Sequence, residues 1–252
     1  MAIWAIADLH LSFGVEGKKM DVFGPKWVDH ASKIEKNWKS SIANDDLVLI
    51  AGDISWALHQ EDAMADLEWI ENLPGTKVMI KGNHDLWWRS ASKVRKVLPN
   101  SIHLVQNDAF TIHGVTIGGT RLWENPLISY NEYIEFREVK GVNIHKKENT
   151  EEERLHDEKI FKTELDRLTT SIAAMDSNAK HRIVMVHYPP AGPLNRDSVV
   201  MDILAKNRID VCLFGHLHNL KQEAPVNFSY KGVRVLCTAC DYLDFKPVLV
   251  EF

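Results

Sequence analysis

Lys77-Val78-Met79-Ile80-Lys81-Gly82-Asn83-His84-Asp85 decides how the rest of this chain is read. Three apolar residues run into a glycine, and an amide, an imidazole and a carboxylate follow at consecutive positions. An apolar run of this length closed by a turn residue predicts a buried strand, with the polar triplet where the strand ends and a loop begins. Open α/β sheets place their chemistry there. Taken alone, Gly-Asn-His-Asp is also an ordinary polar turn. Its weight comes from recurrence.

The same design appears four more times. Ala2 to Ala7 leads into Asp8-Leu9-His10, and in an extended segment residues i and i+2 point to one side, so carboxylate and imidazole can reach one point. Leu47-Val48-Leu49-Ile50-Ala51, the continuous apolar run of a strand buried on both faces, delivers Gly52-Asp53. Arg182 to Val186 ends at His187-Tyr188-Pro189-Pro190, where two prolines forbid the strand from continuing. Val211 to Phe214 ends at Gly215-His216-Leu217-His218, a second i, i+2 pair. Five strand ends therefore carry Asp8, His10, Asp53, Asn83, His84, His187, His216 and His218, which include five of the chain's 12 histidines. Oxygen and imidazole donors without thiolate suit Mn, Fe or Zn better than Mg or Ca.

Between these ends, Trp27, Ala31, Ile34, Trp38 and Ile42 recur at helical spacing, as do Ala65, Trp69 and Leu73 within Leu58 to Leu73, where Pro74-Gly75 stops the helix. Leu47 to Ile80 thus reads strand, helix, strand, which predicts parallel pairing by a right-handed crossover and puts Asp53 and Asn83 on one edge. Ile102 to Val105, Phe110 to Ile112 and Val115 to Ile117 read as antiparallel hairpins, with His103 and His113 as hairpin residues rather than ligands. Residues 120 to 180 differ: the charges Lys146-Lys147-Glu148 precede a capping box, Thr150 to Glu153, and Leu155, Phe161, Leu165, Leu168 and Ile172 fall on one face of a long helix. This stretch is read as an elaboration on the core, a lid over the site. Asp197 to Asn207 predicts a further helix, and Val233 to Leu236 and Pro247 to Val250 complete a sheet. With no repeat and no low-complexity linker, residues 1–252 are expected to form a single α/β domain.

The 252 residues are 45% hydrophobic, and a formal charge of −5 gives no general attraction to nucleic acid or anionic membrane. No run approaches the ~18 apolar residues of a membrane span, and the first residues lack the basic start of a secretory signal, so a soluble cytoplasmic protein is expected. Three cysteines, an odd number, argue against a disulfide framework; Cys237 and Cys240 lack the second pair of a zinc site and read as small apolar residues. Trp56, Trp87, Trp88 and Trp123 flank the motif loops, either packing beneath them or stacking on a base. Arg89 and Arg121 offer planar forks for phosphate.

The ordered series Asp-x-His, Gly-Asp, Gly-Asn-His-Asp, His and Gly-His-x-His resembles the signature of the calcineurin-like metallophosphoesterases over residues 8–218. The resemblance implies a four-layer αββα sandwich, two mixed β-sheets flanked by helices, with two divalent or trivalent transition-metal ions at the carboxyl edge. It implies that Asp8, His10 and His218 hold one ion, that Asn83, His187 and His216 hold the other, and that Asp53 bridges them, one carboxylate serving two cations. It further implies hydrolysis of a phosphomonoester or phosphodiester by attack of a dimetal-held hydroxide, with His84 binding phosphate or protonating the leaving alkoxide and with Asn83 and His84 touching substrate; by residue type Arg121 is a further substrate-binding candidate. The partner is then a small phosphate ester, nucleotides included. A nuclease acting on long nucleic acid fits poorly with the acidic balance, and a metal-binding scaffold without turnover is the rival from another class. One departure stands out: many members carry a second Asp three residues after the bridging one, where it orients the histidine, and here that position is Trp56. The Asp-Arg-Gly continuation of the protein phosphatases is also absent, which argues against a phosphoprotein substrate.

Overall fold

Alternation along the apolar strands builds the architecture. The computed structural model describes residues 1–135 and 150–252. β1 (Ile3–Ile6), β2 (Leu47–Ile50), β3 (Thr76–Met79) and β4 (Ile102–Leu104) form a parallel sheet, and β11 (Val248–Leu249) adds antiparallel to β1. A second sheet runs in the order β5 (Phe110–Ile112), β6 (Val115–Thr120), β7 (His181–Val186), β8 (Val211–Phe214), β10 (Val233–Cys237), β9 (Phe228–Tyr230). Its four inner strands are parallel and its two edges antiparallel.

Because successive side chains point to opposite faces, each sheet is apolar on both. Leu47, Leu49, Val78 and Ile80 meet Ile117, Ile183, Met185, Val211 and Leu213 in the core between the sheets. Val48, Ile50 and Met79 turn the other way, onto α1 (His30–Ser41) and α2 (Gln60–Glu71). Val184, Val186, Cys212 and Phe214 face α4 (Glu151–Ala173) and α5 (Val199–Lys206). The layers are therefore α, β, β, α, the fold that the sequence resemblance implies.

Three details differ from the sequence reading. The last strands, read as completing one sheet, fall in different sheets, β10 beside β8 and β11 beside β1. β4 pairs parallel to β3, reached through the short α3 (Ala91–Val94), so only β5 and β6 form the hairpin. The capping box of α4 forms as read, but Leu155 is 61% exposed; the apolar seat begins at Phe161 and is completed by Leu168 and Ile172 against the second sheet. There Ser171 Oγ accepts from Gly119 N at 2.8 Å, while nearer the start of the helix Asp157 Oδ1 accepts from Trp123 Nε1 at 2.9 Å. Lys146-Lys147-Glu148 lie outside the described residues. Cys212, Cys237 and Cys240 are buried and unpaired. No helix among the described residues is long and apolar enough to cross a membrane.

Candidate metal centre

All eight strand-end residues sit beyond the carboxyl ends of parallel strands, and both sheets contribute. Asp8 and His10 follow β1, Asp53 follows β2, and Asn83 and His84 follow β3; His187 follows β7, and His216 and His218 follow β8. The sheets are stitched at this rim, where Ala7 N donates to Thr238 O at 2.7 Å and Cys240 N to Ala7 O at 3.0 Å. Asp8, His10, Asp53 and His216 have φ of 60°, 46°, 53° and 72°, left-handed conformations that cost non-glycine residues about 1–3 kcal/mol each. Each turn throws its side chain away from the strand direction and toward the rim. Gly82 is required by close approach: a Cβ there would run into Asp53 Oδ1 and Asp53 N.

The donor atoms converge in two groups. Asp8, His10 and His218 each offer an atom within 4.8 Å of the others, and His10 Nε2 lies 3.1 Å from His218 Nε2. Asp8, Asp53 and His187 form the second such group. Asn83 Oδ1 joins it, 2.8 Å from His187 Nε2 and 3.0 Å from His216 Nδ1. Asp53 Oδ2 stands between the groups, 3.3 Å from His187 Nε2 and 3.8 Å from His10 Nε2, while Asp53 Oδ1 is taken up by His84 N at 2.8 Å. One oxygen, rather than one on each side, faces both groups. Asp8 also reaches across the sheets, both its oxygens accepting from His216 N at 3.0 Å.

Electrostatics sharpen the picture. Burial lifts Asp8 to about 7, with the Asp53 charge adding to the lift, whereas His187 holds Asp53 well below the usual carboxylate range in spite of its burial. Burial depresses His10 and His216. Burial also opposes charge on His187 and His218, yet Asp53 raises the first and Asp241 the second to about 9. Carboxylate and imidazole lone pairs packed this closely away from water fit a cation. No thiolate takes part, so the donor set suits hard to borderline metals.

A family model described as calcineurin-like phosphoesterase matches residues 1–220. The chain belongs to the calcineurin-like phosphoesterases. Gene 66 protein of Mycobacterium phage D29 is 29% identical to it over 137 residues, 52% of this chain and 64% of that protein. Gene 66 protein of Mycobacterium phage L5 is 34% identical over 84 residues, 32% of this chain and 39% of the relative. The matches thus span less than two thirds of either relative's length. A crystal structure of a protein of unknown function from Aquifex aeolicus is similar at a TM-score of 0.47 and 14% identity, covering 98% of this chain and 95% of that one.

Two acidic residues matter to this calcineurin-like phosphoesterase that the strand-end pattern did not single out. Asp85, fully buried, accepts from Ile54 N, Ser55 N, Gly82 N and Trp87 Nε1 at 2.8–3.1 Å, so it ties the Asp53 loop to the Asn83 loop. It was visible as the last residue of Gly-Asn-His-Asp. Asp241, 2% exposed, accepts from His218 Nδ1 at 2.9 Å and from Asn219 N at 2.8 Å. It lies just past β10, a carboxyl strand end that the sequence reading passed over.

The remaining candidates fall on both sides. His84 reaches the rim, and its ring lies 4.4 Å from that of Trp56 and 5.5 Å from that of His10; no side chain among the described residues hydrogen-bonds to it. Arg121 stands at the end of β6, but its guanidinium is engaged by the Trp123 ring at 4.4 Å and Glu164 Oε1 at 3.7 Å rather than by the ligand cluster. Arg89 is exposed, and Trp87 and Trp88 are core residues. His103 stacks on Phe110 at 4.3 Å, and His113 sits in the β5–β6 turn; neither approaches the rim residues.

Proposed function

We propose that this protein is a two-metal phosphoesterase acting on a small phosphate ester, with Asp8, His10 and His218 holding one cation, Asn83, His187 and His216 the other, and Asp53 shared. The observation that carries the reading is the position of Asp53 Oδ2 between His10 Nε2 and His187 Nε2, at 3.8 and 3.3 Å. Two cations of the Mn, Fe or Zn kind would supply positive charge to the phosphoryl oxygens and acidify a water between them.

The chain supplies the rest. Asp53 Oδ1 fixes the His84 backbone, which sets the ring at the mouth of the cluster, where it contacts a phosphoryl oxygen or hands a proton to the leaving oxygen. Asp241 holds His218 by its far nitrogen, and the Ala51 carbonyl does the same for His187 at 2.9 Å, so both rings present Nε2 to the centre. A net charge of −5 favours a small ester, nucleotides among them, over a long nucleic acid. Three buried, unpaired cysteines suit a reducing cytoplasmic compartment.

The test is a metal assay together with hydrolysis of p-nitrophenyl phosphate and of bis(p-nitrophenyl) phosphate, with and without Mn²⁺. Turnover of either ester with about two metals bound supports the reading; full metal occupancy without turnover of either makes the protein a scaffold. His84→Ala is expected to lower kcat by about 10²–10⁴-fold while metal content holds. Loss of the metals in that variant would make His84 a ligand.

A further inference from the structure

Trp56 occupies the position where many relatives carry an acid, and its surroundings show what the substitution builds. Its ring stacks on the ligand His10 at 4.9 Å and 23°, and lies 4.4 Å from His84. Its indole N–H points to Met20 Sδ at 3.0 Å, and Lys18 Nζ donates to its backbone carbonyl at 3.1 Å. Phe23 runs parallel to it within 5°, at 6.5 Å between centroids. Trp56, Met20, Phe23 and Trp27, together with His10, His84 and His218, line a cavity of about 180 Å³. Met20 and Trp27 are 4% and 2% exposed, but Phe23 is 36% exposed and marks the outer side.

An apolar cavity of about 150 Å³ takes up a benzene molecule, so this volume suits one six-membered aromatic ring. Rings stacked on aromatic walls gain affinity regardless of their substituents. His84, read above as serving the phosphoryl or leaving oxygen, lines this cavity, so a ring held in it would lie next to the ester oxygen. We infer that this pocket receives the aromatic ring of the leaving group, and that the substrate class is a phosphate ester carrying a single aromatic ring on the ester oxygen. The inference rests on the phosphoesterase reading given above.

The probes are phenylphosphonate and methylphosphonate, which cannot be hydrolysed, titrated into the Mn²⁺-loaded full chain by calorimetry, alongside turnover of phenyl phosphate. Phenylphosphonate is expected to bind about tenfold more tightly than methylphosphonate. That preference is expected to fall about threefold in Phe23→Ala, whose side chain lies toward solvent, and to vanish in Trp56→Leu, whose metal content is measured in parallel because the ring packs on His10. Equal binding of the two phosphonates, with phenyl phosphate still turned over, would overturn the pocket and leave the phosphoesterase standing. A preference that survives both substitutions would place the ring elsewhere and overturn it equally. No binding of either phosphonate and no turnover, with metals present, would instead bring down the phosphoesterase reading and this inference with it.

Discussion

A ligand is only as well aimed as the group behind it. His218 faces His10 with one ring nitrogen and Asp241 with the other, so the Asp241 carboxylate fixes both tautomer and ring orientation. Asp241→Ala is expected to weaken Mn²⁺ binding at the Asp8, His10 and His218 group by about 10–100-fold in an equilibrium titration, and Asp241→Asn to recover part of the loss by keeping an acceptor. A second buried acid acts on stability instead. Asp66, on α2, accepts from Phe13 N at 2.8 Å and from the Ser55 hydroxyl, and burial lifts it to about 6. The folded chain then retains a proton that the unfolded chain sheds near pH 4, so stability declines as pH rises from about 4 to 6 and levels off above, by ~3 kcal/mol from this group. Urea unfolding at pH 4, 5 and 6 checks this: the wild-type curve should fall relative to Asp66→Asn, which stays neutral throughout.

At the scale of elements, α4 depends on the smallness of β6. A Cβ on Gly118 would stand 2.9 Å from Met175 Sδ and 3.1 Å from Ser171 Oγ, and Gly119 N bonds that same hydroxyl. Gly118→Val is therefore expected to cost about 1–3 kcal/mol by overpacking, read as a lower urea midpoint. The strands themselves were legible because each is a dense apolar run between turn residues, and the β5–β6 hairpin because Gly114 at φ 79° supplies its turn. Pairing was less legible, since a partner is chosen across long stretches of chain. β4 looked like a hairpin strand because the connection before it, α3, is four residues long and shows no helical period of its own. Helical spacing likewise could not tell that Leu155 runs past the edge of the sheet that buries Leu168. The eight rim residues were readable from strand ends alone. Asp241 was not, because it stands four residues past the end of its strand, beyond Cys237 and Cys240, which read as small apolar residues. The contacts of Trp56 belong to tertiary packing and left only a departure from the family pattern.

At the scale of the whole molecule, the donors come from both sheets: Asp8, His10, Asp53 and Asn83 from one, His187, His216 and His218 from the other. Cations bound there would stabilise the folded chain by mass action, about 2.7 kcal/mol at a concentration 100 times Kd. For a chain of this size that corresponds to roughly 5–10 °C in Tm. Thermal unfolding in Mn²⁺ against the same protein in a chelator is expected to show that gap, and the gap should narrow in His216→Ala, which removes a donor from the second sheet.

The backbone bonds of Ala7 to Thr238 and Cys240 tie the two sheets together at the rim. A slip of either sheet by a fraction of an ångström would leave every helix and strand in place and yet pull the two halves of the donor set apart. Metal affinity at the rim is therefore expected to be a finer gauge of how the two sheets are docked than any spectrum of secondary structure.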